Sequence, residues 1–546
     1  METGCCGAQP LRVLEALRAL SAVMQRPGAP PVTWFKESSR RNLRSRDFLV
    51  PKGALRKIYP DGKVPEDLIQ RLSSLRAPGV PPVQKCLQDE AGLVIQLDRA
   101  FVFRAVLSDI SPYLKPAPME PLEREADVVI LNCAPLHSCE GLGMFRLSHL
   151  RAVLLADHLA ETLRMRGQQV HLLPALHNKE ILDFLQHLQV SWPSIPDAAP
   201  AEEAVSRFQK YLKLCPCAGD APPKELPPSV LFNIRLKLCA EQQKICLKGY
   251  DPNLDTFHVS RTDLLQVAAL QRCHRESVDG VSCAVLHVVS CEDEFHQQKL
   301  DLLWRILDPG AASQKHLICG PVKVLNPPGP VSCSQYFHVR RSQMQEASVM
   351  KYGESVKGSS WTEIIDSLTS AAVRFEMMST PHRSQVRLDL EDSNITTKGT
   401  KSGAFVMYNC ARLATMFESY NNAVTEGFYP AFPPPREINY STLTEEGEWL
   451  LLFNYIMTFP EVLQQSVRVS VASPGVRFTG NTEAVCKFLV NLSVDFSSYY
   501  NRVHILGEPL QHLYQQMFGR LQLMRAVQSV LHSALESLHI RPPAQI

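Results

Sequence analysis

The chain has 546 residues, of which 45% are hydrophobic and 21% are charged, and its formal net charge is +2. This composition is typical of a globular protein with apolar material for two or three cores, and no apolar run reaches the roughly eighteen residues of a membrane-spanning helix. The 16 cysteines, without a signal-like segment, predict reduced thiols in the cytoplasm, with the nucleus as the alternative. A mitochondrial presequence is disfavoured, because Glu2 and Glu15 stand in the arginine-containing N-terminal segment.

Residues 1–120 are predicted to form a basic N-terminal region that is partly helical. Positive charge is concentrated at its start, since residues 1–63 contain 12 Lys and Arg against 5 Asp and Glu, a net of +7. Basic residues with interleaved aromatic residues suit a phosphate backbone and exposed bases. We therefore expect nucleic-acid contacts from Lys36, Arg40, Arg41, Arg44 and Arg46, which surround Trp34, Phe35 and Phe48. The alternative is a solvated, partly disordered arm.

Residues 121–365 alternate between strand and helix patterns. The first unit has a strand over 128–131, a helix over 147–166 that Gly167 ends, and a strand over 169–173; the second has strands over 284–289 and 316–319 with a helix between them. Each pattern combines a short apolar run with a helical repeat. Two βαβ units predict a parallel sheet, and therefore a Rossmann-type α/β core.

The cysteines do not follow a zinc-binding pattern. No Cys-x-x-Cys occurs, and neither Cys215 with Cys217 nor Cys239 with Cys246 has the paired spacing of structural zinc sites. The glycine motifs of phosphate loops and dinucleotide sites are also missing from the sequence. We therefore expect no metal and no cofactor.

Residues 366–546 are predicted to form an all-α domain. The closing helix has an apolar stripe, in steps of three and four, at Leu521, Met524, Val527, Leu531, Leu535 and Leu538. Its order of side chains, Arg520-Leu-x-Leu-x-x-Ala-Val, resembles the end of the DALR anticodon-binding domain of arginyl-tRNA synthetases. Tyr408-x-x-Ala-Arg412, the Phe-Pro-Glu-Val at 459–462 and the Phe-x-x-Tyr-Tyr at 496–500 are similar to further elements of that domain, in the same order.

The resemblance implies a set of side chains that contact or brace an anticodon loop: Tyr408, Arg412, Tyr500, Arg502, Arg520 and Arg525. Loop bases stack on tyrosine rings and arginine planes. The alternative for the tyrosines is core packing, which we expect for Tyr499. Residues 403–546 carry 9 Lys and Arg against 11 Asp and Glu, so RNA binding there would depend on shape and local contacts.

The α/β core also resembles the body of arginyl-tRNA synthetases, which are class I synthetases, but its ATP motif is altered. The family's His-x-Gly-His element binds ATP phosphates at a helix N-terminus. In this chain Arg146 replaces the first histidine, Ser148 replaces the glycine, and His149 remains. A serine side chain would intrude where a nucleotide approaches the backbone closely. The segment Met350-Lys351-Tyr352-Gly353 is only weakly similar to the family's Lys-Met-Ser-Lys loop. The resemblance therefore implies a degenerate core without adenylation activity, and not an enzyme.

The fold class is thus predicted to be α/β plus all-α, a degenerate class I synthetase core with a C-terminal helical anticodon-binding domain. The chain is identified as a member of the DALR anticodon-binding-domain-containing proteins, paralogues of the synthetases. This implies a non-catalytic protein that binds arginine tRNAs and presents them to an anticodon-loop modifying enzyme, a methyltransferase that forms 3-methylcytidine. Two alternatives stay open: a divergent active arginyl-tRNA synthetase, and a protein-docking scaffold without RNA specificity.

Overall fold

The computed structural model defines the architecture of most of the chain. It describes residues 9–25, 32–39, 42–117, 126–194, 202–219, 229–277, 281–325, 329–353, 356, 359–391, 402–467, 475–478 and 480–543. Two of the expected basic contacts, Arg40 and Arg41, lie outside the described residues. Within these ranges, no helix combines the length and the apolar composition that crossing a membrane requires.

The N-terminal part is a small folded unit built on one antiparallel sheet. Its elements are α1 (Val13–Val23), β1 (Lys36–Glu37), β2 (Phe48–Pro51), α2 (Lys52–Ile58), α3 (Glu66–Ser73), β3 (Val83–Gln88), β4 (Gly92–Leu97) and α4 (Arg99–Ser108). The strand order is β1-β2-β4-β3. Helix α4 begins where the Asp98 carboxylate accepts a hydrogen bond from the Phe101 amide at 3.0 Å, which satisfies a free N–H of its first turn. The described part of the basic region is therefore ordered α/β structure.

The α/β core contains the two predicted βαβ units and an insertion between them. In chain order its elements are β5 (Val128–Cys133), α5 (Leu147–Met165), β6 (Gln169–Leu173), α6 (Lys179–His187), α7 (Glu202–Leu214), β7 (Ala218–Gly219), β8 (Val230–Arg235), α8 (Leu236–Gln242), β9 (Thr256–Ser260), α9 (Arg261–Ser277), β10 (Cys283–Ser290), α10 (Glu294–Leu307), β11 (Ser313–Cys319) and β12 (Val322–Val324). Strands β11-β10-β5-β6 form an all-parallel sheet. The antiparallel sheet β7-β8-β9 belongs to residues 202–277, here called the insertion.

The C-terminal part is helical, as predicted. Its elements are α11 (Cys333–Tyr352), α12 (Ser359–Met378), β13 (Val386–Leu388), α13 (Gly403–Thr425), α14 (Glu446–Leu451), α15 (Phe459–Ser466), α16 (Ala484–Arg502) and α17 (Tyr514–Glu536). Helix α12 runs across residue 365, where the sequence analysis places the boundary between core and helical domain. Every residue of the predicted apolar stripe on α17 and just beyond it is completely buried. The predicted fold class, an α/β core with a helical C-terminal domain, is confirmed.

Helix α5 connects the core to the helical part through buried polar contacts. The five N–H groups of Arg151 donate to the backbone oxygens of four residues and to the Thr380 hydroxyl, all within residues 320–384. One turn and a half later, the Asp157 carboxylate lies 2.9 Å from Nη1 of Arg374 on α12, and both side chains are buried. The helix that follows the first core strand is thus the main polar attachment point of the helical domain.

Candidate nucleic-acid interface

A surface cluster of cations and tyrosines lies where α13 meets α16. Tyr408 and Arg412 are four residues apart on α13, so they share one helix face. The Arg412 guanidinium carbon is 4.4 Å from the ring centre of Tyr500 on α16 and 5.7 Å from that of Tyr408. Its Nη1 and Nη2 groups donate to Ser497 Oγ at 3.1 Å and Asn501 Oδ1 at 2.7 Å. These bonds hold the guanidinium plane between the two rings.

Lys351 extends this cluster from the last turn of α11. Its Nζ lies 3.6 Å from the ring centre of Tyr408 and 4.9 Å from that of Tyr352. The lysine is exposed, whereas Tyr408, Arg412 and Tyr500 are half-buried. These four residues, Lys351, Tyr408, Arg412 and Tyr500, are called the tyrosine–arginine cluster below. The sequence analysis did not include Lys351 among the site residues, although it noted the weak motif that contains it.

Arg502 and Arg525 also lie on the surface of the helical domain. Arg502 ends α16, and its Nε–H donates to the Ser498 carbonyl of the same helix at 3.1 Å. On α17, the guanidinium carbon of Arg525 lies 3.9 Å from the ring centre of Phe432 and 5.8 Å from that of Phe417. Both arginines are exposed, so their remaining donors can reach a polyanion.

Arg520 lies inside the domain instead. Its Nε–H donates to the Glu448 carboxylate at 2.8 Å and its Nη1–H to the His504 carbonyl at 3.1 Å, and 13% of its side chain is exposed. The Tyr499 hydroxyl donates to the same carboxylate at 3.2 Å from a buried position, as core packing requires. Burial raises the pKa of Glu448, while Arg520 opposes that shift. Arg520 thus has its charge matched within the protein and can brace the interface without contacting RNA.

Two of the three aromatic residues that stand among the N-terminal cations, Phe35 and Phe48, are buried. Phe35 and Phe48 are 2% and 0% exposed, and Phe48 packs edge-on against Phe453 of the helical domain at 5.6 Å. Phe35 and Phe48 are therefore not available to exposed bases, because their rings belong to the buried core, while Trp34 is half-buried. Lys36 and Arg44 are exposed, and Arg46 is half-buried. These three cations remain available to phosphates.

The altered ATP motif stands at the start of α5, where a helix N-terminus favours anions. His149 accepts hydrogen bonds at Nδ1 from the Cys139 thiol at 3.2 Å and from the Arg146 amide at 3.4 Å. Burial, and then the nearby Arg146 charge, lower the pKa of His149, while burial raises the pKa of Cys139 to about 11. The Arg146 side chain is 72% exposed and 4.0 Å from Glu292. Ser148 is half-buried on the first turn. The imidazole is therefore neutral and already engaged, which is a poor arrangement for stabilising phosphate charge.

A chain of hydrogen-bonded polar groups runs from the segment after β5 into the interior of the parallel sheet. Asn132 on β5 accepts a hydrogen bond from His137 Nε2 at 2.7 Å, and its amide lies 3.0 Å from Nδ1 of His287 on β10. His287 Nε2 in turn lies 2.9 Å from the Gln314 amide oxygen on β11. Burial lowers the pKa of His137 to about 4 and that of His287 to about 3. Ligands of open α/β sheets bind beyond the carboxyl ends of the strands. Asn132 and His137 lie at that end of β5, whereas Gln314 is the second residue of β11, so the chain leads away from that end into the sheet. At the end of β10, Ser290 Oγ has no hydrogen-bond partner among the described residues.

Comparison with known proteins agrees with this architecture. The family model of the DALR N-terminal domain matches residues 11–113, and that of the DALR anticodon binding domain matches residues 406–546. The mouse (Mus musculus) protein named DALR anticodon-binding domain-containing protein 3 is 45% identical over 555 residues, which cover 98% of this chain and 99% of the mouse protein.

Two solved arginyl-tRNA synthetases have the same overall fold. The enzyme from Plasmodium falciparum superposes with a TM-score of 0.66 at 11% identity, over 99% of this chain and all of the other. The enzyme from Thermus thermophilus superposes with a TM-score of 0.60 at 16% identity, over 98% of this chain and all of the other. At these identities the likeness concerns the fold. The architecture is therefore that of an arginyl-tRNA synthetase, with both the N-terminal and the anticodon-binding DALR domains.

Proposed function

Because the chain belongs to the family of DALR anticodon-binding domain-containing protein 3, we propose that it is a non-catalytic protein that binds arginine tRNAs and presents them to an anticodon-loop modifying enzyme. The observation that carries the proposal is the tyrosine–arginine cluster, in which Arg412 is held between Tyr408 and Tyr500 beside the exposed Lys351. Tyr408, Arg412 and Tyr500 lie within residues 406–546, which match the DALR anticodon binding domain, and Lys351 reaches them from α11.

The chemistry of the cluster suits an anticodon loop. Unpaired loop bases stack on aromatic and guanidinium planes, and each stacked base contributes about 1 to 3 kcal/mol to binding. Lys351 and Arg502 add positive charge for the phosphates between those bases. Since the helical domain has no excess of basic residues, these local cations matter more than its net charge. Lys36 and Arg44 of the N-terminal domain provide additional phosphate contacts in this proposal.

The altered nucleotide site supports binding without catalysis. Adenylation requires preorganised contacts to the phosphates of ATP. Here His149 is neutral and hydrogen-bonded to Cys139, while the Arg146 side chain extends to solvent. At the carboxyl end of β5, near which a class I enzyme would bind its small substrates, Asn132 and His137 are already hydrogen-bonded to each other. A protein of this kind can recognise a tRNA although it cannot charge it.

An adapter role follows from recognition without chemistry. An enzyme that modifies the anticodon loop must distinguish tRNAs whose loops are similar, and an arginyl-synthetase-like body can provide arginine-tRNA identity. In the proposal the client is a methyltransferase that forms 3-methylcytidine, and both proteins act in the cytoplasm. Deleting the adapter should remove this modification from arginine tRNAs and leave it on others. Unchanged methylation of arginine tRNAs would refute the client assignment.

RNA recovery tests the binding proposal directly. The full-length protein is purified at physiological salt, its bound RNA is sequenced, and each tRNA is compared with its cellular abundance. We expect enrichment of arginine tRNAs, and loss of that enrichment in the Tyr500→Ala, Lys351→Gln double variant. Tyr211→Ala is the matched control, because Tyr211 is an exposed tyrosine of the insertion. Uniform tRNA or none would favour a scaffold, and ATP-dependent transfer of arginine to tRNA would show an active synthetase.

A further inference from the structure

Three cysteine sulfurs that are distant in sequence meet inside the insertion. The Sγ atoms of Cys215, Cys217 and Cys239 all lie within 4.8 Å of one another, and those of Cys215 and Cys239 are 3.7 Å apart. Cys217 and Cys239 are 2% and 1% exposed, and Cys215 is half-buried. These residues are called the thiol cluster. Their sequence spacing did not predict a site, because 21 residues, including strands β7 and β8, separate Cys217 from Cys239.

The backbone holds each sulfur of the thiol cluster in place. Residues Cys215 to Ala218 form a turn at the end of α7, closed by a hydrogen bond from the Ala218 amide to the Cys215 carbonyl at 3.0 Å. Pro216 occupies the second position of this turn, which its fixed φ favours. The Cys217 carbonyl accepts from the Arg235 amide at 3.0 Å, which ties the turn to β8. Cys239 approaches from α8, so the sulfurs come from two separate backbone segments that already have fixed positions.

We propose that the thiol cluster binds a soft metal cation, Zn²⁺, through three cysteine thiolates. Thiolates select soft and borderline cations over Mg²⁺ and Ca²⁺. A tetrahedral Zn²⁺ with bonds of about 2.3 Å holds its sulfur ligands roughly 3.8 Å apart, and the 3.7 Å between Cys215 and Cys239 agrees with that spacing. On binding, the three thiols would lose their protons, and the resulting thiolates would coordinate one central ion.

The fourth ligand position is open to water or to a neighbouring polar group. The amide oxygen of Gln242, one turn after Cys239, accepts a hydrogen bond from the Cys217 thiol at 3.1 Å, so an oxygen already points at the cluster. Cys246 follows α8 and is exposed, outside the group of three sulfurs. Zinc sites with three protein ligands usually complete their tetrahedron with water.

A bound cation would crosslink the short strand β7 of the insertion to helix α8. Among the described residues, strand β7 has two residues and pairs with β8 alone, while the three sulfurs join its N-terminal side to α8. Metal binding that exists only in the folded state adds to folding free energy. A disulfide between Cys215 and Cys239 would use only two of the three sulfurs. A metal ion accounts for all three, including the buried Cys217.

Metal analysis of the full-length protein tests the site. The protein is expressed with Zn²⁺ in the medium, purified with a reductant and without chelator, and analysed by plasma mass spectrometry. We expect about one Zn²⁺ per chain, falling to about a tenth of that or less in Cys217→Ser, because three thiolates make one site. Cys246→Ser is the matched control and should keep its zinc. Less than about a tenth of a Zn²⁺ per chain in the wild type, or zinc retained by Cys217→Ser, would overturn the proposal.

A second measurement remains decisive if Cys217→Ser fails to fold. The wild-type protein is stripped by a chelator and titrated with Co²⁺ and then Zn²⁺. Thiolate coordination predicts a sulfur-to-cobalt charge-transfer band, its loss when Zn²⁺ displaces Co²⁺, and a higher melting temperature with Zn²⁺ than without. No band and no change in melting temperature, or a disulfide between Cys215 and Cys239 in the reduced preparation, would overturn the proposal. None of these outcomes depends on tRNA binding.

Discussion

His539 makes the stability of this protein depend on pH above neutrality. The residue follows α17, and its two ring nitrogens contact carboxylates of α5: Nδ1 lies 2.8 Å from Asp157 and Nε2 lies 3.0 Å from Glu161. The hydrogen bond to Asp157, and then that to Glu161, raise the pKa of His539 from 6.5 to about 9. The histidine is therefore protonated at pH 7 and attaches the end of the helical domain to the core.

The size and sign of the effect follow from this shift. A difference of about 2.5 pKa units corresponds to roughly 3.4 kcal/mol at 1.36 kcal/mol per unit. Since 25% of the His539 side chain is exposed, solvent screening reduces this to about 2 kcal/mol. The folded-state pKa lies above the unfolded one, so the contribution is fully present below pH 6.5 and is lost as the pH rises through 9. The unfolding free energy should fall by about 2 kcal/mol across that window because of this residue.

The assay compares the wild type with His539→Gln at pH 6.5 and pH 9.5. Urea denaturation and thermal melting should both show that the variant is less stable at pH 6.5, and that the difference nearly disappears at pH 9.5. His512→Gln serves as the control, because His512 is an exposed histidine of the same domain. If the destabilisation by His539→Gln is equal at both pH values, the ionised bridge to Asp157 and Glu161 is not what holds the segment in place.

Three other changes have defined outcomes. Arg374→Met should lower the unfolding free energy by about 3 to 5 kcal/mol in urea denaturation, because it leaves the buried Asp157 without its arginine; a loss below about 1 kcal/mol would contradict this. Lys351→Gln should weaken tRNA binding and reduce the salt-dependence slope by about one, without changing stability, since it removes one exposed cation. A salt series of filter-binding curves measures this, and an unchanged slope would refute the contact. The double change Arg146→His with Ser148→Gly should not create arginine-dependent ATP–pyrophosphate exchange, because it does not restore the Lys-Met-Ser-Lys loop, to which Met350-Lys351-Tyr352-Gly353 is only weakly similar; exchange above background would mean that a working pocket remains.

Local patterns in the chain were sufficient for the two βαβ units and the closing helix, but they did not predict the antiparallel sheets of the N-terminal part and of the insertion. The stripe from Leu521 to Leu538 predicted the closing helix and its buried face, because apolar spacing of three and four residues specifies one side of a helix wherever it packs. The apolar run of β5, the helical repeat of α5 and the stop at Gly167 predicted the first βαβ unit for the same reason. Motif resemblance then identified Tyr408 and Arg412 as a pair on one helix face.

Contacts between distant residues could not be derived in this way. Arg520 belongs to the matched motif, yet its environment depends on Glu448, which lies 72 residues earlier and is buried beside it. Phe35 and Phe48 stand among basic residues in the sequence, yet both are buried, and Phe48 packs against Phe453 of the helical domain. Lys351 contacts Tyr408 from a different helix, and the sulfurs of Cys215 and Cys239 meet although they belong to separate segments of the insertion.

The amino-acid sequence by itself therefore determined the two βαβ units, the helical C-terminal part, the resemblance to arginyl-tRNA synthetases and the alteration of the ATP motif. Tertiary structure decided which of the expected side chains face solvent, which have their charges matched internally, and where sulfurs and rings converge. The physical reason is that helix and strand patterns follow from the spacing of neighbouring residues. Burial, ion pairing and ligand geometry depend instead on residues that only the packing of separate elements brings within a few ångströms of each other.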